Sequence, residues 1–237
     1  MARNGKTDSA EKAVEDSTVE QVLEFVRNAI ITGRYPPRSK LLPKQIAESC
    51  GTSFIPVREA LRVLESEGFV NFVHNRGAWV TPLSLRDLED LYTIRLELEC
   101  EAVRRSTPFD DDEIAALEKL LDRARNHDEK GRRTHVVQLN REFHFAIYRK
   151  AESPRRMKLI EQLWLHSARY QRMSLDYRHD AADGEHRDIV NMLRCGAHDA
   201  AADALHTHLT STVALLQQGC KDLSPTGGAI DSSLAKV

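Results

Sequence analysis

Residues 53–82 read SFIPVREALRVLESEGFVNFVHNRGAWVTP, and the change of hydrophobic period inside this stretch decides the fold. Val57, Ala60, Leu61 and Leu64 follow the i, i+3, i+4, i+7 spacing of a one-faced helix that opens near Ser53 and Pro56 and stops at Gly68. Beyond that glycine, "FVNFV" and "AWVT" bracket "HNRG", which predicts a two-stranded hairpin with Gly77 at its turn. Upstream, "LLPKQIAESCG" predicts a short helix with Pro43 in its first turn and Gly51 at its end. Val22, Phe25, Val26, Ala29 and Ile30 predict an amphipathic helix that Gly33 ends. A helix, two helices joined by the tight turn "SCGTSFIP" and a hairpin make a winged helix-turn-helix over residues 17–82.

A helix that enters the DNA major groove needs cations and hydrogen-bond donors off its apolar stripe, and backbone donors at its N-terminus for phosphate. Ser53 stands at that N-terminus, Arg58 and Arg62 lie off the stripe, and Lys44 opens the preceding helix. His74, Asn75, Arg76 and Gly77 form a small, basic wing tip suited to phosphate or the minor groove. The plain alternative is a solvated face on which Arg58 and Arg62 pair with the interleaved Glu59 and Glu65. Charge along the chain leans toward DNA: residues 17–82 hold eight Lys/Arg against six Asp/Glu, net +2, whereas residues 83–219 hold 21 against 24, net -3.

The 237-residue chain is 41% hydrophobic and 30% charged, the balance of a soluble globular protein. No run approaches the roughly 18 apolar residues of a membrane span, and the charged N-terminus has no signal-like apolar core, so a cytoplasmic location without membrane contact is expected. Cys50, Cys100, Cys195 and Cys220 form no C-x-x-C pair, which points to free thiols and away from a cysteine zinc site. Residues 1–16 and 220–237 lack helical periodicity and are expected to be flexible tails.

From residue 84 the pattern is helical throughout, and about six helices predict an all-α antiparallel bundle over residues 83–219. Two starts carry capping-box spacing, Ser84 with Asp87 and Asp110 with Glu113. Three helices each place a histidine on the apolar stripe: His144 with Val136, Asn140, Phe143 and Ile147; His186 with Ile189, Val190 and Leu193; His208 with Leu205, Leu209 and Thr212. One such histidine reads as a hydrogen-bonded core residue. Three carry a shared desolvation cost that one divalent metal would relieve, with Asn140 adding an oxygen donor. His206 is the nearest rival of His208. Arg95 also falls on an apolar stripe, that of Leu88, Leu91, Leu98 and Ala102, where either Glu99 one turn on or a ligand carboxylate must meet its charge.

Residues 53–82 resemble the winged-helix signature of the GntR family of bacterial transcription regulators, S-R-T-P-V-R-E-A-L-x-x-L-x-x-E-G-L-V followed by R-G-x-x-V. The resemblance implies DNA contact by Lys44, Ser53, Arg58 and the His74 to Gly77 wing. Phe54 and Ile55 depart from it; where the family has an arginine able to grip guanine, Phe54 offers apolar contact to a thymine methyl. Asn140 with His144, Glu185 with His186, and His208 with Leu209 resemble the motifs of the FCD effector domain of the FadR subfamily, and the six-helix count resembles its VanR-like branch. That implies a divalent metal, zinc ahead of nickel or manganese, held by Asn140, His144, His186 and His208, with a small organic acid as effector. In most such domains the first ligand is aspartate, so Asn140 leaves the site one charge less negative.

The expected function is a homodimeric repressor that binds double-stranded operator DNA and responds to a small carboxylate. Three rivals stand beside it, the plainest being a winged helix used for protein contact only. A metal-sensing repressor would need no organic effector, and a metalloenzyme would use the open metal positions, although no general base or nucleophile stands at recognisable spacing.

Overall fold

In the computed structural model of the protein the described residues are 5–129, 133–172 and 179–221. In chain order they form α1 (Gly5–Ile31), β1 (Lys40–Leu41), α2 (Pro43–Cys50), α3 (Phe54–Ser66), β2 (Val70–Val73), β3 (Gly77–Val80), α4 (Leu85–Arg104), α5 (Asp111–Glu129), α6 (Arg133–Arg149), α7 (Pro154–Gln171), α8 (His179–Arg194) and α9 (His198–Lys221). No described helix is long and apolar enough to cross a membrane. The N-terminal tail expected over 1–16 is helical from Gly5. Ala10, Glu11, Lys12, Ala13 and Glu15 are good helix formers, and propensity shapes backbone even where no apolar period announces a buried face. Residues 1–4 and 222–237 of the expected tails lie outside the described residues.

The chain packs as two units, Met1–Leu83 with Ser153–Arg172, and Ser84–Glu152 with Met173–Val237. In the first, α1, α2 and α3 close on one core that includes Val26, Ile46, Val57, Leu61, Leu64 and Phe69. The hairpin forms as the sequence predicts, with Val73 opposite Gly77, and Asn75 and Gly77 supply the left-handed turn conformations at φ 59° and 87°. A strand absent from the sequence reading, β1, adds to β3 with Lys40 opposite Trp79, giving the sheet order β1-β3-β2. Two residues are too few to show alternation, so β1 is visible only through its pairing.

The second departure is α7. Counted in chain order it belongs to the bundle expected over 83–219, yet it packs with the winged helix. Leu165 lies against that core, and His166 stacks on Phe69 at 4.2 Å while its Nε2 donates to the Glu67 carbonyl at 2.8 Å. Arg169 donates to the Thr81 hydroxyl at 2.9 Å and to the Thr81 carbonyl at 2.6 Å. Helical periodicity gives a buried face and no information on which partner buries it.

In the second unit α4 packs on α9, α5 on α6 and α8, and α8 on α9. Both capping signals form. The Ser84 hydroxyl accepts from the Asp87 N–H at 3.1 Å, and Asp110 and Glu113 close a reciprocal box at 2.8 and 3.0 Å. Asp110→Ala, which removes one acceptor of that box, is expected to cost about 1 kcal/mol, while Asp110→Ser stays within about 0.5 kcal/mol; urea midpoints of the two variants check this.

Candidate functional site

On the first unit, the buried stripe of Val57, Ala60, Leu61 and Leu64 turns the other faces of α3 outward. Lys44, Ser53, Phe54, Arg58, Arg62 and the wing residues His74, Asn75, Arg76 and Gly77 are all exposed. Ser53 occupies the N-cap position of α3, and its hydroxyl makes no capping bond. Glu65 accepts from the Phe72 N–H at 3.3 Å, and Glu67 grips Arg27 at 2.8 Å. Arg58 and Arg62 make no ion pair among the described residues.

The second unit buries a polar cluster. Arg95 and Glu99, one turn apart on α4, are 1% and 0% exposed and pair through Nε at 2.7 Å. Arg95 also lies over the Tyr92 ring at 4.5 Å. The Tyr148 hydroxyl donates to the second Glu99 oxygen at 2.5 Å and sits 3.1 Å from His144 Nδ1. His144 Nε2 is 3.1 Å from His186 Nε2, and ligand-capable atoms of His144, His186 and His208 all lie within 4.8 Å of one another. His208 Nδ1 meets a Glu185 oxygen at 2.8 Å. His206, the rival of His208, is exposed.

This hydrogen-bond inventory assigns tautomers. Tyr148 gives its single proton to Glu99, so its oxygen can only accept from His144, whose Nδ1 carries the hydrogen. Glu185 as a carboxylate only accepts, so His208 also carries its hydrogen on Nδ1. In the neutral rings Nε2 then carries the lone pair, with the far nitrogen held by an oxygen, as metal-ligating histidines require.

Electrostatics favour the same state. Burial, and then the neighbouring His186, His208 and Arg95, hold His144 well below the ordinary histidine range. Burial and His208 do the same for His186. Neutral imidazole is the ligand form. Burial, reinforced by Glu99, pushes Tyr148 well above its usual value and keeps it a donor. Burial opposes the charge of Arg95, but Glu99, Tyr92 and Tyr148 together outweigh it and the guanidinium is held more firmly protonated than usual. Burial pushes the Cys100 thiol up to about 11, so it is no thiolate ligand.

One donor pair has the spacing that a divalent ion imposes on its ligands. Two nitrogens on one metal at about 2.0–2.1 Å lie about 3.0–3.4 Å apart, and the His144 to His186 separation of 3.1 Å falls in that span. The three histidines could therefore hold a metal. Asn140 stands half-buried one turn before His144 and makes no hydrogen bond among the described residues, which leaves its carboxamide uncommitted.

Two family matches cover these two sites. The gntR family of bacterial regulatory proteins matches residues 18–80, and the FCD domain matches residues 90–211, over half of the chain. The chain belongs to the GntR family, with an FCD domain. The HTH-type transcriptional regulator McbR of Escherichia coli is 34% identical over 149 residues, 61% of this chain and 66% of that protein. A probable D-xylose utilization operon transcriptional repressor of Paenarthrobacter nicotinovorans is 29% identical over 206 residues, 86% of this chain and 91% of that protein. Among solved structures, E. coli McbR/YncC superimposes with a TM-score of 0.74 at 25% identity, covering 85% of this chain and 97% of that one.

As a GntR-family member the chain is a transcription regulator with a DNA-binding helix-turn-helix and an FCD effector domain, and not an enzyme. The metalloenzyme reading therefore falls. Within the FCD unit the sequence missed Tyr148, and it placed Glu185 beside His186 rather than with His208. Tyr148 had a signal, being four residues after His144 on the same stripe. Glu185 had none, because its partner His208 comes from α9.

Proposed function

We propose that this GntR-family protein is a cytoplasmic, homodimeric repressor whose operator affinity is set by a divalent metal and a small organic acid bound in the FCD unit. The observation that carries the proposal is the buried His144, His186 and His208 cluster, whose ligand-capable nitrogens lie within 4.8 Å of one another. Zinc suits three neutral imidazoles best, with nickel or manganese as alternatives, and Asn140 would supply a fourth donor in place of a charged carboxylate. The acid would take the remaining metal positions. Arg95, close enough to act on His144 and already bonded to Glu99, would face the acid's carboxylate as its countercharge.

On the DNA side, Lys44, Ser53, Arg58, Arg62 and the wing from His74 to Gly77 would contact phosphates and base edges, with Phe54 at the base edges. A dimer would set two α3 helices on half-sites of a near-palindromic operator. Effector binding changes operator affinity to the extent that it favours one arrangement of the residue 83–219 region over another.

The test is fluorescence anisotropy of the full-length protein on a duplex selected from a random pool, with and without zinc and a panel of carboxylates. Log affinity is expected to fall linearly with log salt, and Arg58→Ala to lower that slope by about 1. Constant affinity across all saturating carboxylates would remove the acid from the proposal. A response to zinc alone would instead favour the metal-sensing reading, which the near-complete burial of His144 and His186 supports.

A further inference from the structure

The first turn of α3 carries two large apolar side chains on the outside of the protein. Phe54 is 54% exposed and Ile55 is 60% exposed, the two most exposed large hydrophobics among the described residues. The next two positions, Pro56 and Val57, are buried, so the first turn holds an apolar tip outside the core. Arg58 and Arg62 follow on the same helix and Lys44 opens the preceding one, all three exposed, the two arginines without an ion pair among the described residues. A partner for such a surface must be apolar at its centre and anionic at its rim.

DNA offers that combination in one place. The thymine C5-methyl lies in the major groove between rows of phosphates, and a helix entering the groove brings its N-terminal residues to the base edges. Phe54 and Ile55 have no side-chain donor or acceptor, so they cannot read the hydrogen-bond pattern that distinguishes guanine, adenine and cytosine. They can read only the base whose edge is a methyl group. We infer that Phe54 and Ile55 together recognise thymine through its C5-methyl, which makes each half-site thymine-dependent under the N-terminus of α3. This rests on the DNA-binding reading above and adds to it the base class that this chain selects.

The test begins with the duplex that the full-length protein selects from a random pool. Each thymine is then replaced singly by deoxyuridine, which deletes the methyl and keeps every hydrogen-bonding group. Affinity is expected to fall about 3- to 10-fold at one or two positions per half-site. In Phe54→Ala or Ile55→Ala protein, whose melting temperatures should match the wild type because both side chains are exposed, the loss at those positions should shrink to about 2-fold or less. Uridine tolerated everywhere in a duplex that is still bound selectively would overturn the inference and leave the DNA reading standing, as would an undiminished uridine effect in both alanine variants. Failure to select any sequence, with no salt-dependent binding, would overturn the DNA reading and this inference together.

Discussion

Glu99→Ala is expected to destabilise the FCD unit by about 3–5 kcal/mol, because it strands a guanidinium inside the protein. Arg95 is 1% exposed and Glu99 is 0% exposed, and the Glu99 carboxylate holds the Arg95 charge. The same change removes the acceptor of Tyr148 at 2.5 Å, so a second buried polar group loses its bond. For a protein of this size the loss corresponds to a fall of roughly 6–20 °C in melting temperature. The paired change Arg95→Leu with Glu99→Leu removes both charges and is expected to cost less than Glu99→Ala alone, since the burial of an uncompensated ion is the dominant penalty. Calorimetry of the three proteins decides it. A Glu99→Ala protein melting within about 2 °C of the wild type would mean that Arg95 reaches solvent or another anion at little cost.

How much of this was legible in the sequence depends on whether one element or two fixed the outcome. The stripe of α3, the hairpin turn and the two caps are properties of single segments, and the structure has them where the spacing predicts. The convergence of His144, His186 and His208 was also legible, because three separate stripes must meet in one core and polar groups there seek one another. The bond from Glu185 to His208, the strand β1 and the packing of α7 on the winged helix were not legible. Each is a choice of partner between segments far apart in sequence, and neither period nor propensity encodes that choice. Arg95 lies between these cases. The sequence left Glu99 and a ligand carboxylate as alternatives, and the structure shows the Glu99 bond in place while a ligand contact remains a proposal.

Chelator-free protein is expected to carry close to one metal ion per subunit by elemental mass spectrometry, and His144→Ala with His186→Ala to carry none. Two of the three nitrogen donors are then missing, and the remaining His208 with Asn140 cannot make a site of comparable strength. Tyr148→Phe and Glu185→Leu keep all three imidazoles and test the tautomer assignment instead: each should weaken metal binding about 10- to 100-fold by releasing the nitrogen that orients its histidine. Proton linkage gives a separate check in metal-free protein. His144 and His186 have folded values held well below ordinary, whereas in the unfolded chain they titrate near about 6.5. Below that pH the unfolded state binds more protons, so stability is fully present above about 6.5 and is lost as pH falls further. The double alanine variant lacks both groups, and its stability should fall less steeply between about pH 6.5 and 4.5. Equal slopes in the two proteins would show that these imidazoles protonate in place, which their burial opposes. Metal-loaded protein should lose its ion over an acid range in the same direction, because protons and metal compete for the same Nε2 lone pairs.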